Sequence, residues 1–202
     1  MFIAFLIFIF VLADLSFLYF KMIRPWQLRW GASNAEISQP MPGDELVAHP
    51  SFNATRAVTI AAPVEKIYPW IVQIGVTRAG WYSYDLLDNL GRPSAIQILP
   101  QYQHIQPGDL IPMSPDGKYG IWVKDFQQDS WILWSDGQSG DTSWVWKIDS
   151  LGENSCRLIT RVRTKYHWLS AAFLFNLLIE FGDLIMMRKC MLGIKQRAEK
   201  LA

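Results

Sequence analysis

Cysteine and histidine are scarce in this chain. There are two cysteines, Cys156 and Cys190, and three histidines, His49, His104 and His167. Two cysteines cannot build a disulfide framework. Neither they nor the scattered histidines fall at metal-ligand spacing, so no metal or other cofactor is expected. Net charge is scarce too: 19 Lys and Arg against 18 Asp and Glu leave +1. No basic run with interleaved aromatics occurs, so nucleic acid is not an expected partner. No cation precedes the first apolar run and no small-residue cleavage site is visible, which argues against a cleavable signal peptide.

Bulky apolar side chains are abundant. Half of the 202 residues are apolar and ten are tryptophan. Phe2 to Phe20 is almost unbroken, with Asp14 the one ionisable residue. About 20 such residues span a bilayer core. The expectation is a retained transmembrane anchor over residues 1–24 of a single-pass protein in the inner (plasma) membrane. Lys21, Arg24 and Arg29 follow at once, which by the positive-inside rule puts the globular part on the cytoplasmic side. Residues 25–52 carry Pro40, Pro42, Gly43 and Pro50 and no core periodicity, and read as an extended linker that either hangs free or wraps along the domain. Residues 53–202 form the folded domain.

That domain mixes short helices with alternating strands. Residues 55–61 alternate as a strand. Pro63, Glu65 and the spacing of Ile67, Trp70, Ile71 and Ile74 predict a helix ending at Gly75, with Pro69 a kink inside it. Ser83 is placed to cap a second helix that ends by Gly91. Strands follow near 110–113, 120–126, 131–135, 143–150 and 156–166, joined by short turns, which predicts an antiparallel sheet. Trp144, Trp146 and Ile148 share one face of the fourth of these, and Leu158, Thr160 and Val162 one face of the fifth. Arg157, Arg161, Arg163 and Lys165 fall opposite and read as a solvated outer stripe. Trp168 to Phe181 is apolar but short for a span, and reads as a helical flap. From Leu184, a stripe of Met187, Met191, Ile194, Ala198 and Leu201 predicts an amphipathic final helix with Gly193 in its middle.

Four segments carry a family resemblance: RWGA at Arg29–Ala32, PGDEL at Pro42–Leu46, PWIVQIG at Pro69–Gly75 and GWYSYD at Gly80–Asp85. With the Ala-Pro strand end and the Glu…Trp helix, they resemble the helix-grip superfamily (START-like, Bet v 1-like, polyketide-cyclase-like, or SRPBCC). The likeness is to a bacterial subgroup in which that domain follows a membrane segment. It implies an α+β fold with a curved antiparallel sheet around a long C-terminal helix. The superfamily hosts carriers, sensors, cyclases and hydrolases, so the fold alone does not select a function.

A helix held across a curved sheet leaves room for an apolar ligand site. The expected ligand-binding residues are Trp144, Trp146, Thr160, Val162, Met187 and Met191, with Trp70, Trp81 and Tyr84 near the mouth. The leading expectation is a membrane-anchored binder or carrier of a hydrophobic small molecule such as a lipid, quinone or isoprenoid, with the lipid bilayer as a partner. A cyclase- or hydrolase-like enzyme is the alternative. It needs an acid or base in the pocket, for which Asp85 and His104 are the weak catalytic candidates, beside Arg78, Tyr82 and Tyr84. A regulatory or structural partnership with another membrane protein is the third reading.

Overall fold

A computed structural model describes residues 2–137, 139–166 and 173–201 of the chain, with side chains undescribed at residues 2–6, 12 and 173–177. Six strands form one sheet: β1 (Phe52–Ile60), β2 (Leu110–Pro112), β3 (Gly120–Gln127), β4 (Trp131–Ser135), β5 (Thr142–Gly152) and β6 (Ser155–Thr164). Their order is β1-β6-β5-β4-β3-β2, and every pairing is antiparallel. Successive strands from β2 to β6 are neighbours, as short turns dictate, and β1 closes the far edge against β6. A bulge between Val123 and Asp125 in β3 breaks the register with β4.

The helices are α1 (Phe2–Leu18), α2 (Arg24–Gln27), α3 (Asn34–Ser38), α4 (Val64–Val72), α5 (Asp85–Asp88) and α6 (Phe173–Glu199). The sheet's inner face is held by α4 and α6. Leu184, Met187, Met191, Ile194 and Ala198 are all buried, as their spacing predicts, whereas Leu201 lies past the helix end and is exposed. Met187, Met191, Ile194 and Ala198 pack with Trp146, Ile148, Leu158 and Cys156 of the sheet and with Ile67, Trp70, Ile71 and Ile74 in and just after α4. An α+β chain with an antiparallel sheet and a C-terminal helix across it matches the helix-grip expectation. The apolar segment from 168 and the final stripe are not two helices: from Phe173 onward α6 runs unbroken through Gly182 and Asp183. Residues 168–172 of the expected flap lie outside the described residues.

The transmembrane anchor over residues 1–24 is not borne out. No helix among the described residues is long and apolar enough to cross a membrane. A five-residue π-helical turn, Tyr19–Ile23, follows α1. The single-pass, inner-membrane placement and its cytoplasmic orientation fall with the anchor. Arg24, read as an orientation signal, is instead half of an ion pair. It donates to both carboxylate oxygens of Glu180 on α6, at 2.9 Å each, and to the Ser51 carbonyl. Tyr166 also donates to Glu180.

The outer face of the sheet is not a solvated stripe either. Residues 28–48 wrap across it. Thr55 and Ala57 of β1 donate to the carbonyls of Leu28 and Trp30, which covers the edge strand. Met41 packs on Ala57, Leu133, Val145 and Ile159 in a second small core. The arginines of β6 fasten this strap. Arg161, 3% exposed, donates to Thr55, to Asp44 and to the carbonyls of Glu36, Ile37 and Gln39. Arg163 reaches Asp44 and the Val47 and Ala48 carbonyls, and Arg157 reaches Glu36 and the Gly31 carbonyl. Period-two polarity thus marks a face that binds backbone carbonyls, not one that faces water.

Candidate functional site

The site is built where the GWYSYD segment crosses α6 beside the sheet. Tyr82 sits at φ +55°, an uncommon left-handed conformation for a non-glycine residue. Its phenol accepts a hydrogen bond from Gln73 at 2.8 Å, and the Arg197 guanidinium lies 4.6 Å over its ring. Burial pushes the Tyr82 phenol well up, so it stays neutral. The next side chain, Ser83, donates to the Met186 carbonyl of α6 at 3.0 Å. Ser83 therefore ties the segment to the long helix and is not the cap of α5, whose N-cap is Tyr84.

This crossing sets Trp81 against Trp144 of β5. Their rings are nearly parallel, 9° apart with centroids at 5.7 Å. Trp134 stands edge-on to both, at 6.5 and 4.9 Å. The Trp144 indole N–H donates to Thr160 Oγ1 at 2.8 Å, and that hydroxyl donates to the Val145 carbonyl. Neighbouring strands thus fix the Trp144 ring plane.

Between this tryptophan wall and one flank of α6 lies a cavity of about 310 Å³. Trp81, Trp144, Met186, Met187 and Cys190 line it, with Met113 and Leu87 at its rim and Ser83, Asp88 and Asp183 as its polar groups. Met113, Leu87 and Met186 are 52%, 68% and 39% exposed, which leaves an apolar mouth. Burial pushes the Cys190 thiol up, so it acts as a small apolar wall. Asp183 accepts from Arg56 at 2.6 Å, and the Arg56 side chain is fully buried behind it.

Of the residues expected to bind ligand, the cavity brings together Trp81, Trp144 and Met187. Val162 lines a separate space of about 260 Å³ by Glu180 and Tyr166. Trp70, Trp146, Thr160 and Met191 are packed core, each at most 1% exposed. Tyr84 is 43% exposed, with Lys189 stacked over its ring at 6.0 Å. Asp183, Met186 and Cys190 also line the cavity, and their helical spacing with Met187 on one flank is the signal in the sequence that marks them. Met113, just past Pro112, carries no such signal.

The catalytic candidates do not converge on this cavity. The Asp85 carboxylate accepts from Asn89 and from both the hydroxyl and the backbone N–H of Ser94, so it braces a loop. His104 is exposed and is not among the cavity's lining residues. Arg78 clamps the Val72 and Tyr102 carbonyls. Among the described residues no group of three or more His, Cys, Asp or Glu could hold a metal ion.

No family model matches the chain, and no curated protein matches it. Solved structures do. A START superfamily protein from Mycobacterium smegmatis is 14% identical, covering 74% of this chain and 99% of its own, with a TM-score of 0.43. A Polyketide_cyc-like protein from Corynebacterium glutamicum is 12% identical, covering 71% and 88%, also at 0.43. The self-sacrificing resistance protein CalC from Micromonospora echinospora is 8% identical, covering 74% and 96%, at 0.41. The helix-grip description itself stands on the observed sheet order and the position of α6.

Proposed function

We propose that the chain is a binding or carrier protein for a hydrophobic small molecule, of the lipid, quinone or isoprenoid kind, held between α6 and the sheet. One observation carries the reading: the cavity of about 310 Å³ walled by Trp81, Trp144, Met186, Met187 and Cys190. Its volume lies at the small end of ligand sites. Its rim of exposed Leu87, Met113 and Met186 gives an apolar entry. Each methylene that leaves water there contributes about 0.8 kcal/mol. Methionine side chains adapt to the shape of varied apolar ligands. A longer ligand would seat one end here and leave the rest at the mouth.

The test is organic extraction of the purified full chain followed by mass spectrometry, beside the variant Leu87→Trp. Leu87 is largely exposed, so a larger ring there fills the mouth without disturbing the core. A hydrophobic compound in stoichiometric amount with the wild type, and depleted in the variant, supports the reading. Equal traces in both, or none in either together with no uptake of added alkyl probes, refutes it.

A further inference from the structure

The cavity's charge is one-sided. Its polar lining is two carboxylates and a hydroxyl, Asp88, Asp183 and Ser83, and no Lys, Arg or His among the described residues lines it. Ser83 already donates to the Met186 carbonyl, and Asp183 is answered from behind by Arg56. Asp88 is answered only by the Tyr84 backbone N–H, at 3.3 Å, with no ion pair to it among the described residues. The neighbouring Lys189 is turned to the Tyr84 ring and lines a separate cavity with Asp85 and Arg197. The remaining walls are apolar: the indoles of Trp81 and Trp144, three methionines, Leu87 and Cys190. Indole faces attract cations, most strongly where water is excluded. A ligand carboxylate or phosphate would instead meet the like charge of Asp88 and Asp183.

Resting on the cavity reading above, we propose that this site selects ligands with an apolar body and a cationic, ammonium-type head, which Asp88 receives against the tryptophan wall. The apolar body takes the space beside Met187 and Cys190, and the head stays at the partly exposed Asp88. Among hydrophobic molecules this separates amphiphilic amines from fatty acids and neutral alcohols of the same chain length.

Calorimetric titration of the full chain at pH 7 with octylammonium, octanol and octanoate tests it, because one apolar body then carries three head groups. The expected order is octylammonium about tenfold tighter than octanol, and octanoate weakest, the scale of one partly desolvated cation contact. Asp88→Asn, which keeps an acceptor for the Tyr84 N–H, should narrow the first gap to about twofold. Three equal affinities, or octanoate the tightest, overturn the head-group preference and leave the cavity reading standing. An ammonium preference unchanged in Asp88→Asn also overturns it, since another group would then be the receiver. No saturable heat with any of the three at either of two well-separated temperatures, where the heat-capacity change of apolar burial would make binding visible, removes the cavity reading and this inference with it. The wild-type comparison decides the head group even if the variant does not fold.

Discussion

The Tyr82 carbonyl oxygen occupies the place where a side chain of Gly193 would be. The Cβ of Tyr82 also stands 2.9 Å from that position. A residue that costs an exposed helix stability is therefore what lets the GWYSYD segment lie flat on α6. The crossing in turn brings Trp81 to Trp144 and forms the cavity.

Gly193→Ala should be destabilising although alanine favours helices. The clash is with backbone, so one element must shift, and overpacking of this kind costs about 1–3 kcal/mol. Urea unfolding checks it: the midpoint should fall, and ligand uptake should fall with it because Trp81 is displaced.

Arg161→Ala should detach the strap over residues 28–48. Three carbonyls lose a nearly buried donor while Asp44 keeps Arg163, and leaving such groups unanswered costs about 1–3 kcal/mol. Limited proteolysis is the measurement. New cleavage should concentrate near Gln39–Asp44 before the sheet itself unfolds.

The strap should also loosen in acid. The Arg157 guanidinium, donating to Glu36, holds that carboxyl below its ordinary value of 4.5, and the Ser33 backbone N–H helps. A depressed folded pKa means that the stabilisation is complete above the unfolded value and is lost as pH falls through the folded one. Hydrogen exchange over residues 33–39 should therefore rise below about pH 4.5, and Glu36→Gln should remove that pH dependence.

Asp183→Ala should cost about 3 kcal/mol, because it strands the fully buried Arg56 guanidinium without its carboxylate. Thermal unfolding reads the loss. Coupling Asp183→Ala with Arg56→Leu should recover part of it, whereas a pair of merely additive effects would lower the melting point further.

The sheet and α6 were legible because both rest on periodicity. Trp144, Trp146 and Ile148 alternate with Val145 and Lys147, and Met187, Met191 and Ile194 recur at helical spacing. A wrap of the linker along the domain was an open alternative in the sequence, but its fastening was not legible, since it is held by backbone carbonyls bound to arginines more than a hundred positions away, and a carbonyl leaves no mark in a sequence. The α1 segment misled for a different reason: its composition is that of an anchor, but no helix among the described residues combines the length and apolarity of a span. The cavity was half legible. Trp81, Trp144 and Met187 were named from type and face, but whether a core tryptophan lines space or fills it depends on the roll of α6 about its axis. That roll is set by the contact of Gly193 with Tyr82, and by the ion pairs of Glu180 with Arg24 and Asp183 with Arg56, none of which follows from local pattern.

The most direct measurement is the indole N–H resonances of the ten tryptophans during titration of the full chain with a small hydrophobic probe such as octylammonium. Trp81 and Trp144, assigned by Trp81→Phe and Trp144→Phe, should move together and saturably, while the exposed Trp26 stays still. Saturable shifts confined to tryptophans outside this cavity, or no shifts at probe concentrations below micelle formation, would contradict a ligand site between α6 and the sheet.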